Sequence, residues 1–200
     1  QGEVRYTWKR GTAMGGKYGT TLKLNASHIR GTSDTWFGMS EEPYYTDVNL
    51  ELNKKINKQW YIGAMAMYQT YNKRIIGKSE IARSGIGVVE AKYAMNKKVQ
   101  MRAELQYLYS RQYEGQWIAA LYELSLWRQL VLSGQWMYNI GHAPDATNGH
   151  YYTVAATYTH GAHRLMAGYT KTREGFNCSG GVCRYVPEQQ GVTLTYNFTW

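Results

Sequence analysis

The chain has 200 residues, of which 44% are hydrophobic and 18% charged, and carries a formal net charge of +9 with a pI near 9.4; this is the size of one domain. Its mean hydropathy is −0.54, and the longest nearly apolar stretch, Trp60 to Tyr68, falls far short of the roughly 20 residues a membrane-spanning helix needs. A helical membrane protein is therefore excluded, while 19 Tyr, 7 Trp and 21 Gly beside 3 Phe and 3 Pro form a vocabulary of strands, turns and amphipathic aromatics.

Period-two alternation divides the chain into eleven strands, starting near Glu3, Thr20, Tyr44, Gln59, Arg83, Val99, Gln116, Leu130, His150, His163 and Gly191. Between the first two, Gly15-Gly16-Lys17 lacks the spacing and the following helix of a phosphate loop and reads as a permissive turn. In the third strand Val48, Leu50 and Leu52 alternate with Asp47, Asn49, Glu51 and Asn53. In the sixth, Met101, Ala103, Leu105 and Tyr107 oppose Arg102, Glu104 and Gln106. The segment Ala119 to Leu130 has a composition that also suits a helix, but Ile118, Ala120, Tyr122, Leu124 and Leu126 keep period two. The last strand is the cleanest, with Val192, Leu194, Tyr196, Phe198 and Trp200 against Thr193, Thr195, Asn197 and Thr199.

The connections alternate between short ones, such as Asn96-Lys97-Lys98 and His160-Gly161-Ala162, and long ones, such as Arg30 to Pro43 and Thr172 to Gln190. Outer-membrane barrels sort their turns and loops in this way. Trp8, Trp60, Tyr93, Tyr158 and Trp200 fall at the short-turn ends of their strands, and Tyr109, Tyr138, Tyr152 and Tyr169 at the long-loop ends, as two interfacial belts require. The alternation turns Lys23, Asp47, Glu51, Arg102, Glu104 and Arg164, with Asn25, Gln135, Asn139 and Thr193, toward the lumen. Such an interior is either wet or cross-braced by ion pairs.

The basic residues recur singly or in pairs beside tight turns rather than as a stripe, so nucleic acid is not an expected partner. Cys178 and Cys183 bracket Ser-Gly-Gly-Val, which suits a disulfide-closed loop in an oxidising exported compartment, against free thiols or half of a metal site. The five histidines show no metal-ligand spacing, and no metal or cofactor is expected. A membrane-embedded hydrolase or acyltransferase would need Ser133 or Ser27 beside a histidine across strands, and no local motif frames either serine.

The final strand ending in Tyr196-Asn197-Phe198-Thr199-Trp200 resembles the assembly signal of outer-membrane barrels. Together with Gly15-Gly16-Lys17-Tyr18-Gly19-Thr20 and Cys178 to Pro187, it makes the chain similar to the C-terminal barrel region of an uncharacterised outer-membrane family common in Bacteroidota. The resemblance implies the barrel-assembly machinery and outer-membrane lipids as partners, and no catalytic residue. The expectation is an all-β antiparallel transmembrane barrel in a Gram-negative outer membrane, forming one domain over 1–200. It would act as a porin-like conduit or as a structural component docked to other envelope proteins. The alternatives are a lipid-modifying enzyme and a soluble β-sandwich that binds carbohydrate. Eleven strands with the last ending at the periplasmic side make the first run downward, so parity predicts at least one further strand before Gln1, within a larger barrel.

Overall fold

A computed structural model of the protein describes residues 1–31, 42–76, 80–112, 115–127, 129–140, 149–179 and 182–199, and of 75–76, 175–179 and 182–186 the backbone alone. The chain forms β1 (Gly2–Trp8), β2 (Thr20–Arg30), β3 (Pro43–Lys55), β4 (Trp60–Asn72), a 3-10 turn (Lys73–Ile76), β5 (Ile81–Ala94) and β6 (Val99–Ser110). Then follow β7 (Trp117–Leu126), β8 (Leu130–Asn139), β9 (His150–His160), β10 (His163–Thr172), β11 (Gly175–Ser179), β12 (Val182–Val186) and β13 (Gln189–Phe198).

Eleven strands make one antiparallel sheet in the order β1-β2-β3-β4-β5-β6-β7-β8-β9-β10-β13. The expected strand count therefore holds, and the ambiguous seventh segment is a strand, since a helix would have scattered Ile118, Ala120, Tyr122 and Leu124 around its axis. β11 and β12 are an addition to the expectation: the long connection after β10 carries its own two-stranded hairpin, in which the backbones of Cys178 and Cys183 are direct partners. Within these residues the sheet is not closed into a barrel, since β1 and β13 lie at opposite edges and do not pair.

The glycine-rich segment after β1 is a turn, as its residue types require. An added Cβ on Gly15 would come 1.9 Å from the Lys9 carbonyl oxygen, so only glycine fits. Trp127, between β7 and β8, has a φ of 50°, a left-handed conformation rare for a bulky residue.

Burial is inverted relative to a soluble sheet. Along β6, Ala103, Leu105, Tyr107 and Tyr109 are exposed while Arg102, Glu104 and Gln106 are half-buried. Among the described residues just two hydrophobic side chains are buried, Tyr151 and Ala155. The accessible surface is 14102 Å², against about 9,600 Å² expected of a compact monomer of this mass. A single layer with both faces open accounts for the excess.

Candidate functional site

The sheet has two chemically distinct faces, and antiparallel register decides what meets on each. On the polar face Lys92 of β5, Arg102 of β6 and Glu123 of β7 share one row, and Glu90 and Glu104 share the next. Arg102 donates from Nε to Glu90 at 2.6 Å, from Nη1 to Glu123 at 2.8 Å, and from Nη2 to Glu104. Lys92 meets the other oxygen of Glu90 at 2.9 Å. All three nitrogens of one guanidinium are thus engaged by carboxylates from three strands, the multidentate use that distinguishes Arg from Lys. Three carboxylates against two cations leave the cluster with one negative charge.

A second brace lies on β2 and β3, where Lys23 Nζ is 3.3 Å from Glu51. Asn53 donates to Glu51 and the Tyr61 hydroxyl donates to Asn53, while Asn25 donates to Asn49 at 3.1 Å. Of the residues expected to face inward, Lys23, Glu51, Arg102 and Glu104 therefore enter ion pairs, in two separate groups. Asp47 shares the face but sits opposite Ser27 and Gln69, nearer the long connections. Arg164 lies opposite Thr159 and Asn197 at the short-turn end, exposed. Neither joins a brace among the described residues.

Sequence reading missed Glu90, Lys92 and Glu123. Their strands carry apolar residues on the polar face too, such as Val88 and Leu121, which blur the alternation. That face is in fact divided. Toward the long connections it turns apolar through Met65, Met67, Ile86, Leu108 and Met137, beside a cavity of about 260 Å³. Arg173 lies 5.0 Å over the Trp117 ring there, and Trp117 is 6.0 Å from Tyr151. Toward the short turns a recess of about 420 Å³ is lined by Lys55, Tyr61, Lys92, Arg102 and Glu123.

The other face is apolar between two belts of rings. At the short-turn end Trp60 packs on Tyr93 at 4.7 Å, Tyr6 on Trp8 at 5.0 Å and His163 on Phe198 at 5.0 Å. At the long-connection end Tyr138 stacks on His150 at 4.5 Å, and Gln190 donates to the hydroxyls of Tyr169 and Tyr152 at 2.8 and 3.3 Å. Between the belts Leu50, Val89, Leu105, Val154 and Leu194 are exposed. Tyr196 and Phe198 lie on this face at the short-turn end, whereas Trp200 is outside the described residues. The thiols of Cys178 and Cys183 are likewise outside them, as are His142 and Asp145.

The four described histidines belong to these belts. His28 meets Thr46 at 2.7 Å, His150 accepts from Trp136 Nε1 at 3.2 Å, His160 meets Gln129 at 3.4 Å and His163 meets the Tyr196 hydroxyl at 2.7 Å. Ser27 and Ser133, the candidate nucleophiles, stand on the polar face. Alternation therefore separates these serines from the described histidines by the thickness of the sheet. Among the described residues no group of three His, Cys, Asp or Glu side chains is placed to hold a metal ion, and no helix is long and apolar enough to cross a membrane.

No curated protein and no solved structure matches the chain. A family model matches residues 1–200, and the chain belongs to that family, a family of unknown function (DUF6029).

Proposed function

We propose that this chain forms part of the wall of a transmembrane β-barrel in a Gram-negative outer membrane and serves as a structural component of an envelope complex. One observation carries the reading: an apolar sheet face, bounded at both ends by aromatic belts, is bare, while the charged residues turn to the other face. Thirteen Val, Leu and Ile side chains on the apolar face are on average about half exposed. At about 2 kcal/mol for full burial of each, leaving them in water forgoes about 13 kcal/mol, as much as the whole stability of an ordinary domain. A soluble sandwich needs a second sheet over this face, and among the described residues the one other sheet is the hairpin β11–β12. Acyl chains supply the missing layer without further protein.

The polar face supports a structural role. Ion pairs cross-brace five of the strands, β2–β3 and β5–β7, which stiffens a wall. The 420 Å³ recess supports a conduit as the second reading. Planar-bilayer recording separates the two, since a braced wall stays silent and a conduit passes current. In this reading Tyr196, Phe198 and Trp200 serve as the signal to the barrel-assembly machinery, Cys178 and Cys183 are bonded as their direct backbone pairing favours, and no catalytic step is assigned to the chain.

The test is site-directed labelling in a Cys178→Ser, Cys183→Ser background refolded into bilayers. Fluorophores at Leu105→Cys and Val154→Cys should be quenched by brominated acyl chains, and those at Gln106→Cys and Thr153→Cys by aqueous iodide. Iodide quenching of all four sites alike would sink the membrane reading.

A further inference from the structure

Lysines and arginines that look scattered along the sequence converge once the strands are paired. Successive connections alternate between the two ends of the sheet, so those after β1, β3, β5, β7 and β9 share one end. In sequence these segments, 9–19, 56–59, 95–98, 127–129 and 161–162, hold seven Lys or Arg and no Asp or Glu. The segments at the opposite end, 31–42, 73–80, 111–116, 140–149 and 173–188, hold six Lys or Arg and eight Asp or Glu. Strand ends add Lys54, Lys55 and Arg164 to the basic side.

The cations of the two ends are also used differently. Lys9, Lys17, Lys58, Lys97 and Lys98 are exposed. The ion pairs among the described residues instead take their cations from the polar face, as with Lys23, Lys92 and Arg102, or from the acidic end, as with Lys73, Arg74 and Lys171. Charges of one sign at one rim, unneutralised by carboxylates, create a field that extends over about a Debye length and attracts an anionic surface.

The belt beside the rim decides which surface. Trp8 precedes Lys9, Trp60 follows Lys58 by two residues, and Trp127, 60% exposed, protrudes from the turn between β7 and β8. Passing along the apolar face toward the rim, one meets aliphatic side chains, then exposed rings, then ammonium groups. Acyl chains, the interfacial layer and headgroup phosphates of a phospholipid leaflet occur in the same order. A nucleic acid or an acidic protein could use the charges and the rings but would leave the exposed aliphatic band beyond them, Leu105, Val154 and Leu194, uncovered.

We propose that the short-turn rim is a docking surface for anionic phospholipid headgroups, which anchors this end of the sheet and fixes its orientation. The proposal rests on the membrane reading above. The experiment uses the 200-residue chain in mild detergent, offered to vesicles of phosphatidylcholine alone or with a third of the lipid replaced by phosphatidylglycerol. A second protein carries Lys9→Gln, Lys58→Gln, Lys97→Gln and Lys98→Gln, all exposed turn positions outside the ion-pair clusters. Partition of the unaltered chain should favour the phosphatidylglycerol vesicles about tenfold or more, shrink with added salt, and lose its preference in the altered chain.

Insertion into both vesicle types with no lipid preference would overturn the rim proposal and leave the membrane reading standing. Salt-sensitive binding to phosphatidylglycerol vesicles without insertion would overturn the membrane reading and keep the rim. Should the altered chain fail to fold, the salt dependence of the unaltered chain decides: a preference untouched by salt overturns the proposal. Tighter retention of duplex DNA or polyglutamate than of phosphatidylglycerol vesicles also overturns it.

Discussion

The two faces of this sheet are written by the same strands one residue apart, yet they spend their side chains in opposite ways. The apolar face gathers its order from rings at the two ends and leaves the middle smooth, with Leu50, Val89, Leu105 and Val154 exposed. The polar face gathers its order in the half nearer the short turns, where Arg102 ties Glu90, Glu104 and Glu123 across three strands. A soluble sheet would hide the first and expose the second. The comparison teaches that burial in this molecule runs against hydropathy, with the apolar face the more exposed and the charged face half-buried.

The sharpest way to break the comparison is to put one charge on each face. Leu105→Arg or Val154→Arg is expected to cost about 2 to 4 kcal/mol of folded stability in bilayers, and Thr193→Arg close to nothing. Equilibrium unfolding in vesicles measures both, and equal tolerance would show that no lipid touches the apolar face.

A somewhat smaller effect is expected at the ion-pair cluster of the polar face. Arg102→Met leaves three carboxylates without their shared cation. Half-burial reduces the 3 to 5 kcal/mol of a fully buried case to about 2 kcal/mol. Adding Glu104→Gln should restore part of the loss by removing a like charge; a double variant no better than the single one would mean that Arg102 acts by packing alone.

Trp127 sharpens the contrast at the boundary. Trp127→Gly removes left-handed strain worth about 1 kcal/mol and at the same time the exposed indole. The variant should be as stable or more stable in detergent and should partition less well into bilayers, and a variant weakened equally in both would make the ring a packing element. The smallest effect belongs to the hairpin. Cys178 and Cys183 are expected to resist alkylation until reduced, as mass measurement reads directly. Reduction should change the unfolding free energy of the large sheet by less than about 1 kcal/mol, because β11–β12 is a separate sheet.

Which parts of this were legible in the sequence follows from what a single chain displays. Alternation is local, so the eleven strands, the sorting of turns and loops and the sides taken by Lys23, Glu51, Arg102 and Glu104 could be read residue by residue. Register is not local. Glu90 and Glu104 are direct partners although a turn and two half-strands separate them, and no periodicity announces that Glu123 lies opposite Arg102. The basic rim was hidden for the same reason, since Lys17, Lys58 and Lys97 are neighbours only after the meander has formed. The hairpin β11–β12 is not legible in the sequence because its five-residue strands are too short for alternation to stand out.

That hairpin bears on the order in which the sheet assembles. Nine of the sheet's pairings join strands that are consecutive in the chain, and the tightest of them close over two to four residues, as between His160 and His163 or between Lys55 and Trp60. The pairing of β10 with β13 must close over the sixteen residues between Thr172 and Gln189. If β11 and β12 pair first, Gly175 and Val186 become neighbours, and the loop left to close shrinks from sixteen residues to six, easing closure by about 1 kcal/mol. A two-stranded hairpin is marginal by itself, so a clip between Cys178 and Cys183 would act as a folding aid: it would hold the shortcut in place in the unfolded chain and speed the arrival of the last strand, while the finished sheet no longer depends on it.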